Sequence, residues 1–110
     1  MKDNFASHDQ QELLDLGNGV SRRVLAHEPR LLLAEVAFES GAVGSAHTHP
    51  HTQLSYVLSG RFRYTIENES VYMLPGDSIT VPANATHGTV CLEKGVLLDV
   101  FTPEREDFLR

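Results

Sequence analysis

Cysteine is almost missing from this 110-residue chain, which has only Cys91. A single thiol excludes an intrachain disulfide and any zinc cluster built on several cysteines, and it suits a reducing compartment. No apolar run approaches the ~18 residues of a membrane helix, so no membrane partner is expected. The opening MKDNFASHDQQELLDL is polar and carries no apolar stretch of the secretory kind. A cytoplasmic location is therefore expected, and the sequons Asn68-Glu69-Ser70 and Asn84-Ala85-Thr86 read as chance matches. Basic residues never cluster beyond a pair and the formal net charge is −6, which argues against nucleic acid. An anionic substrate would need its own local cationic site within this negative field. Linkers, repeats and low-complexity segments are absent.

What is present is a series of short extended runs punctuated by turn residues. LLLAEVAF (31–38) ends at Ser40-Gly41, and QLSYVL (53–58) runs into Ser59-Gly60. RFRYTIE (61–67) ends at Asn68-Glu69, and Val71–Leu74 stops at Pro75-Gly76-Asp77. Ser78–Val81 stops at Pro82, Thr86–Leu92 precedes Glu93-Lys94-Gly95, and Val96–Phe101 stops before Pro103. Many short strands with frequent turn signals predict an antiparallel sandwich or barrel. An apolar fraction of 41% can fill one core, so a single domain over 1–110 is expected. Only Glu104–Leu109 reads as a short helix.

Three of the six histidines form a pattern with one glutamine. His47 and His49 are two apart, so on an extended strand they share a face. Gln53 follows four residues later, and His87 lies far off, after PANAT. A barrel interior would let such residues converge on one divalent ion. Taken alone, His-x-His is a weak metal signal and could be a solvated loop. An amide in place of a carboxylate would leave the ion its full charge. That favours Lewis-acid chemistry over oxygen activation. His51 has the same parity, but Pro50 should bend the strand, which makes it a rim residue. His8 and His27 read as surface residues.

The spacing resembles the cupin family. Gly41-AVGSA-His47-Thr-His49-PHT-Gln53-LSYVLS-Gly60 follows its first motif except at Gln53, where an acid is usual. Gly76-DSITV-Pro82-A-Asn84-AT-His87-GTV-Cys91 follows the second except at Asn84 and Cys91, usually glycine and asparagine. Asn84 tolerates positive φ well enough to serve in the turn. The resemblance implies an all-β cupin, a jelly-roll barrel with its core over about 30–102. N-terminal strands would occupy 12–28 and a helical turn 103–110. It also implies the metal ligands His47, His49, Gln53 and His87 on Ni, Zn, Fe, Mn or Co.

Function is read from the last strand. In Leu97-Leu98-Asp99-Val100-Phe101 the odd positions share one face. If it points inward, Asp99 is a buried candidate acid/base; the alternative is an outward acid on an edge strand. His-x-His-Pro-His-x-Gln together with LLDVFTPEREDFL is similar to the KdgF family of small cupins, which act in pectin and alginate breakdown. Leu25-Ala26, Gly41-Ala42-Val43-Gly44 and Cys91-Leu92-Glu93 extend that match. The resemblance implies conversion of 4,5-unsaturated uronates to linear 4-deoxy-5-keto uronates. It makes Asp99, Phe101 and Arg105 catalytic, with Phe101 and Arg105 also binding the sugar acid. Arg22 and Arg23 are alternative cations, of which one should face inward; Arg23 is the expected one. Apolar Leu98 and Val100 on the other face suggest a homodimer. The alternatives are a metal-dependent dioxygenase and a non-catalytic sugar-acid-binding cupin.

Overall fold

The computed structural model describes residues 3–109. The alternating runs form eight strands: β1 Leu13–Gly17, β2 Val20–Glu28, β3 Leu31–Phe38, β4 Val43–His47, β5 Thr52–Ile66, β6 Glu69–Met73, β7 Ser78–Val81 and β8 His87–Thr102. All pairings are antiparallel. The C-terminal stretch expected as helical holds a 3-10 turn at Glu106–Leu109; Arg110 lies outside the described residues.

Two long strands organise everything else. The first half of β5 pairs with the second half of β8, flanked by β3 and β7. The second half of β5 pairs with the first half of β8, flanked by β6 and β4. The sheet path β1-β2-β3-β8-β5-β6 does not return on itself, so the jelly-roll is a rolled, open barrel.

Both long strands must bend to serve two layers. The register slips between Val57 and Phe62, and bulges of this kind increase local bend and twist. Gly60 has φ 82°, a left-handed conformation that glycine adopts without a steric penalty. A Cβ on Gly60 would lie 2.6 Å from the Glu93 carbonyl oxygen, and one on Gly95 would strike the Ser59 carbonyl. The backbones touch at this corner, and nothing larger than glycine fits.

Period-2 alternation then sorts the side chains. Leu32, Ala34, Val36 and Phe38 of β3 point inward, as do Val57, Phe62 and Tyr64 of β5 and Cys91, Leu97 and Phe101 of β8. Phe38 and Phe62 meet edge to face, 5.3 Å between centroids, a geometry that suits the ring quadrupoles. Fully burying each such apolar side chain stabilises the fold by about 1.5–3 kcal/mol. The same inner faces also bury polar side chains, namely His49, Gln53, Ser55, His87, Thr89 and Asp99. An unpaired polar group there would cost about 1–3 kcal/mol, so their partners matter.

Candidate metal centre

The three histidines come from three backbone segments. His47 ends β4 and pairs across the ladder with His87, the first residue of β8. His49 sits in the loop before β5. Asn84 holds that loop: its N–H donates to the His49 carbonyl at 2.8 Å. Asn84 has φ 67°, the left-handed region where asparagine is enriched, which explains how it stands where glycine is usual.

Each imidazole is oriented by a backbone carbonyl. His47 Nδ1 lies 2.7 Å from the Ser45 oxygen, His49 Nδ1 3.1 Å from that of His51, and His87 Nδ1 2.9 Å from that of Ala85. A proton on each Nδ1 makes those contacts hydrogen bonds and leaves every Nε2 as a lone pair, the usual second layer behind metal-binding histidines. One ligand nitrogen from each ring falls within a set spanning no more than 4.8 Å.

Gln53 is the candidate for a fourth donor. Its amide nitrogen donates to Ser55 Oγ at 3.1 Å and to the Tyr64 hydroxyl at 3.2 Å. This fixes the amide so that Oε1 faces the rings, 2.9 Å from His49 Nε2 and 3.2 Å from His87 Nε2. Burial pulls the pKa of both His49 and His87 below the ordinary imidazole value, so both favour the neutral form. Lone pairs then face lone pairs, an arrangement that a cation stabilises. Three imidazoles and one amide oxygen fit a divalent transition metal.

Asp99 is buried and inward. β8 lies between β3 and β5, so this is a central strand and not an edge. Ser55 Oγ donates to Asp99 Oδ1 at 2.6 Å and lies 3.1 Å from the Tyr64 hydroxyl. Burial raises the Asp99 pKa to about 6, against the smaller opposing effects of the Ser55 hydrogen bond, Arg105 and Gln53. Burial likewise raises that of Tyr64, which stays a neutral hydroxyl.

A cavity of about 230 Å³ joins these groups. His47, Gln53 and His87 line it together with Asp99 and Phe101, and Arg22, Arg105 and Phe108 border it. Arg105 stacks near Phe101 and Phe108, 5.0 and 4.3 Å from the ring centroids, and pairs bidentately with Asp107 at 3.0 and 2.7 Å. A larger hollow of about 660 Å³ lies between the β1–β2 turn and Lys94. It includes no histidine and none of the buried polar set, so the smaller cavity is the candidate site.

Arg23, the expected inward cation, faces the other way. It pairs across β2–β3 with Glu35, whereas Arg22 pairs with the buried Val36. Directly opposed residues share a face, which puts Arg22 inside. Arg23 is engaged instead by the Gln11 carbonyl at 2.6 Å and by Glu35 at 3.7 Å. His51 is half-buried beside the triad, its ring 5.4 Å from that of His49. His8 and His27 are exposed and pair with surface acids.

The sequence matches the cupin domain family over residues 34–101. It is 39% identical to the pectin degradation protein KdgF of Dickeya dadantii, over 92% of this chain and 94% of that one. The chain belongs to the KdgF family of cupins. The structure of KdgF from a Halomonas species is similar with TM-score 0.90 at 37% identity, covering 94% of this chain and 98% of that one. An RmlC-like cupin from Shewanella frigidimarina gives TM-score 0.91 at 38% identity, covering 94% of each.

In this KdgF-family cupin, sequence reasoning missed Ser55, Tyr64 and Phe108. Ser55 shares the strand parity of Gln53 and Val57, so alternation alone could have placed it inside. Tyr64 shares a face with Phe62 and reads as core; its hydroxyl contact with Gln53 crosses the bend and has no local signal.

Proposed function

We propose that this cupin converts 4,5-unsaturated uronate monosaccharides into linear 4-deoxy-5-keto uronates, in pectin or alginate breakdown. The observation that carries the reading is one cavity shared by a buried Asp99 carboxyl group, the imidazole cluster and two arginines. A family relative that is itself a pectin degradation protein supports it.

His47, His49, Gln53 and His87 would hold one divalent ion, Ni, Zn, Fe, Mn or Co. When bound, it supplies Lewis-acid stabilisation of negative charge on sugar oxygens. The substrate is a cyclic hemiacetal whose ring oxygen belongs to an enol ether conjugated to a carboxylate. Asp99 takes the proton of the anomeric hydroxyl as the ring C–O bond breaks, and the electron pair passes to the ring oxygen as an enolate. Asp99 then returns the proton to C4, which leaves the 5-keto group. Atoms and electrons balance, so the step is an isomerisation with no redox partner or organic cofactor. A carboxyl pKa of about 6 suits a group that must both take and give a proton near neutrality. Ser55 holds the carboxyl group in place. Phe101 packs against the sugar ring and excludes water, and Arg105 faces the substrate carboxylate.

The protein acts as a homodimer in the cytoplasm on this reading. Leu54 and Tyr56 of β5 are exposed and oppose Val100 and Leu98 of β8, forming an outward apolar patch on which two copies could pair. No helix of the described residues is long and apolar enough to cross a membrane.

The test follows decay of the unsaturated monosaccharide's ultraviolet absorbance, anaerobically, with and without protein in defined metal. Faster decay with protein is expected. Identical curves at confirmed metal occupancy would exclude the reaction and leave a binding protein. A strict need for dioxygen would make it a dioxygenase.

A further inference from the structure

We propose that Arg22 is a substrate-binding residue that receives the uronate carboxylate in the cavity. This rests on reading the cavity as a uronate site, and it adds an anion-binding residue beyond Arg105. Three arginines lie near the cavity or on β2, and their partners differ. Arg105 is already matched by Asp107, both of whose carboxylate oxygens it binds. Arg23 is spent on Glu35 and backbone carbonyls outside the barrel. Arg22 has no side-chain hydrogen bond or ion pair with any described residue; it lines the cavity and also a hollow shared with Gln11, Glu12 and His27.

Its position is nevertheless built. The guanidinium lies flat enough on Phe108 to bring Cζ within 3.6 Å of the ring centroid. Arg105 borders the same cavity, its Cζ 4.3 Å from the centroid of the same ring. Two guanidiniums thus flank Phe108, with one carboxylate, Asp107, between them in charge. The pair carries one uncompensated positive charge in a chain of net charge −6. Stacking leaves the guanidinium edge free to donate, and a planar fork of donors matches a carboxylate. Half-burial strengthens that interaction relative to an exposed arginine, and burial already disfavours the unpaired cation. A monovalent anion at this point satisfies the free donors and cancels the charge. The uronate carboxylate is an anion of that size, and Phe101 and the imidazole of His47 line the same cavity.

The experiment compares binding of galacturonate and its uncharged methyl ester by NMR titration, in wild-type holoprotein and in the Arg22→Gln and Arg22→Lys variants. Metal content is measured for each. Wild type should prefer the acid, Arg22→Gln should lose that preference by about 10- to 100-fold, and Arg22→Lys should keep part of it. Metal content should stay constant, since Arg22 touches no ligand. A purely structural role would weaken acid and ester alike and leave their ratio unchanged; that result overturns the proposal. So does wild-type protein that binds neither compound, or that does not distinguish them. Turnover is scored separately. A protein that binds galacturonate through Arg22 yet never consumes the unsaturated sugar would refute the reaction and leave this assignment standing. Normal turnover with an unmoved acid-to-ester ratio in Arg22→Gln would do the reverse.

Discussion

Ser55 and Asp99 face one another directly across the β5–β8 ladder, and the serine hydroxyl donates to the carboxylate at 2.6 Å. The register that makes them cross-strand partners also makes Gln53 oppose Phe101. A single alignment of two strands therefore sets the candidate acid/base, its anchor, a candidate metal ligand and an aromatic wall of the cavity. Four predictions follow from the contacts around this ladder.

Replacing Asp99 with Asn should keep the fold and the metal while lowering turnover about 10²–10⁴-fold, as loss of a positioned acid/base does. The substitution also isolates a pH effect in the metal-free protein. The folded carboxyl pKa of about 6 lies above its ordinary 3.8, so the native state binds the proton more tightly than the unfolded one. The wild type's contribution from this group is complete below pH 4 and declines as pH rises through about 6. The melting temperature of Asp99→Asn relative to wild type, in chelator, should therefore rise between pH 4 and 7 and then level off. A flat difference would contradict burial of the titrating group.

Metal stoichiometry should separate the histidines. His49→Ala and His87→Ala should lose the ion, because each removes one of four donors. His51→Ala should retain most of it, because only its backbone carbonyl supports His49. Equal loss in all three by elemental analysis would contradict the ligand set.

Tyr64→Phe should loosen the metal without removing any of the four donors. The hydroxyl is one of two groups that hold the Gln53 amide in orientation, and outer partners of this kind are worth about 10- to 100-fold in metal affinity. Competition with a chromophoric chelator measures it; unchanged affinity would show that Ser55 alone suffices.

Gly95→Ala tests the corner. A methyl group there meets the Ser59 carbonyl and the Gly60 backbone, which cannot yield as a flexible side chain would. Overpacking of this kind costs about 1–3 kcal/mol. Chemical denaturation should show that loss as a steric cost, since Gly95 does not have positive φ, whereas Gly17→Ala, with open space at the site and φ 80°, reports a backbone cost alone.

The all-β class and the convergence of His47, His49 and Gln53 were legible in the sequence because both are written in short-range spacing. Alternating runs between turn residues mark strands whatever their partners, and His-x-His-x3-Gln keeps three donors within seven positions. His87 could be added only through the resemblance of its motif, since nothing local joins residue 87 to residue 47. Asp99 was readable as inward or edge-exposed, and the position of β8 between β3 and β5 places it inward.

Arg22 and Arg23 show where the sequence stops. Val20 and Val24 share the parity of Arg22, but Leu25 shares that of Arg23, and the register slips between Val24 and Ala26. With apolar residues on both faces, period-2 alternation cannot choose; the choice belongs to β3, whose Val36 draws Arg22 inside. Ser55–Asp99 and Tyr64–Gln53 are of the same kind, contacts between residues far apart in the chain whose register depends on the glycine corner. By itself the sequence determined which runs would be strands and that His47, His49 and Gln53 would lie close together, because those depend on neighbours two to four positions away. Which arginine enters the cavity, and which hydroxyls hold Gln53 and Asp99, was decided only by strand pairing, because a hydrogen bond needs its partner within about 3 Å and only the folded sheet brings it there.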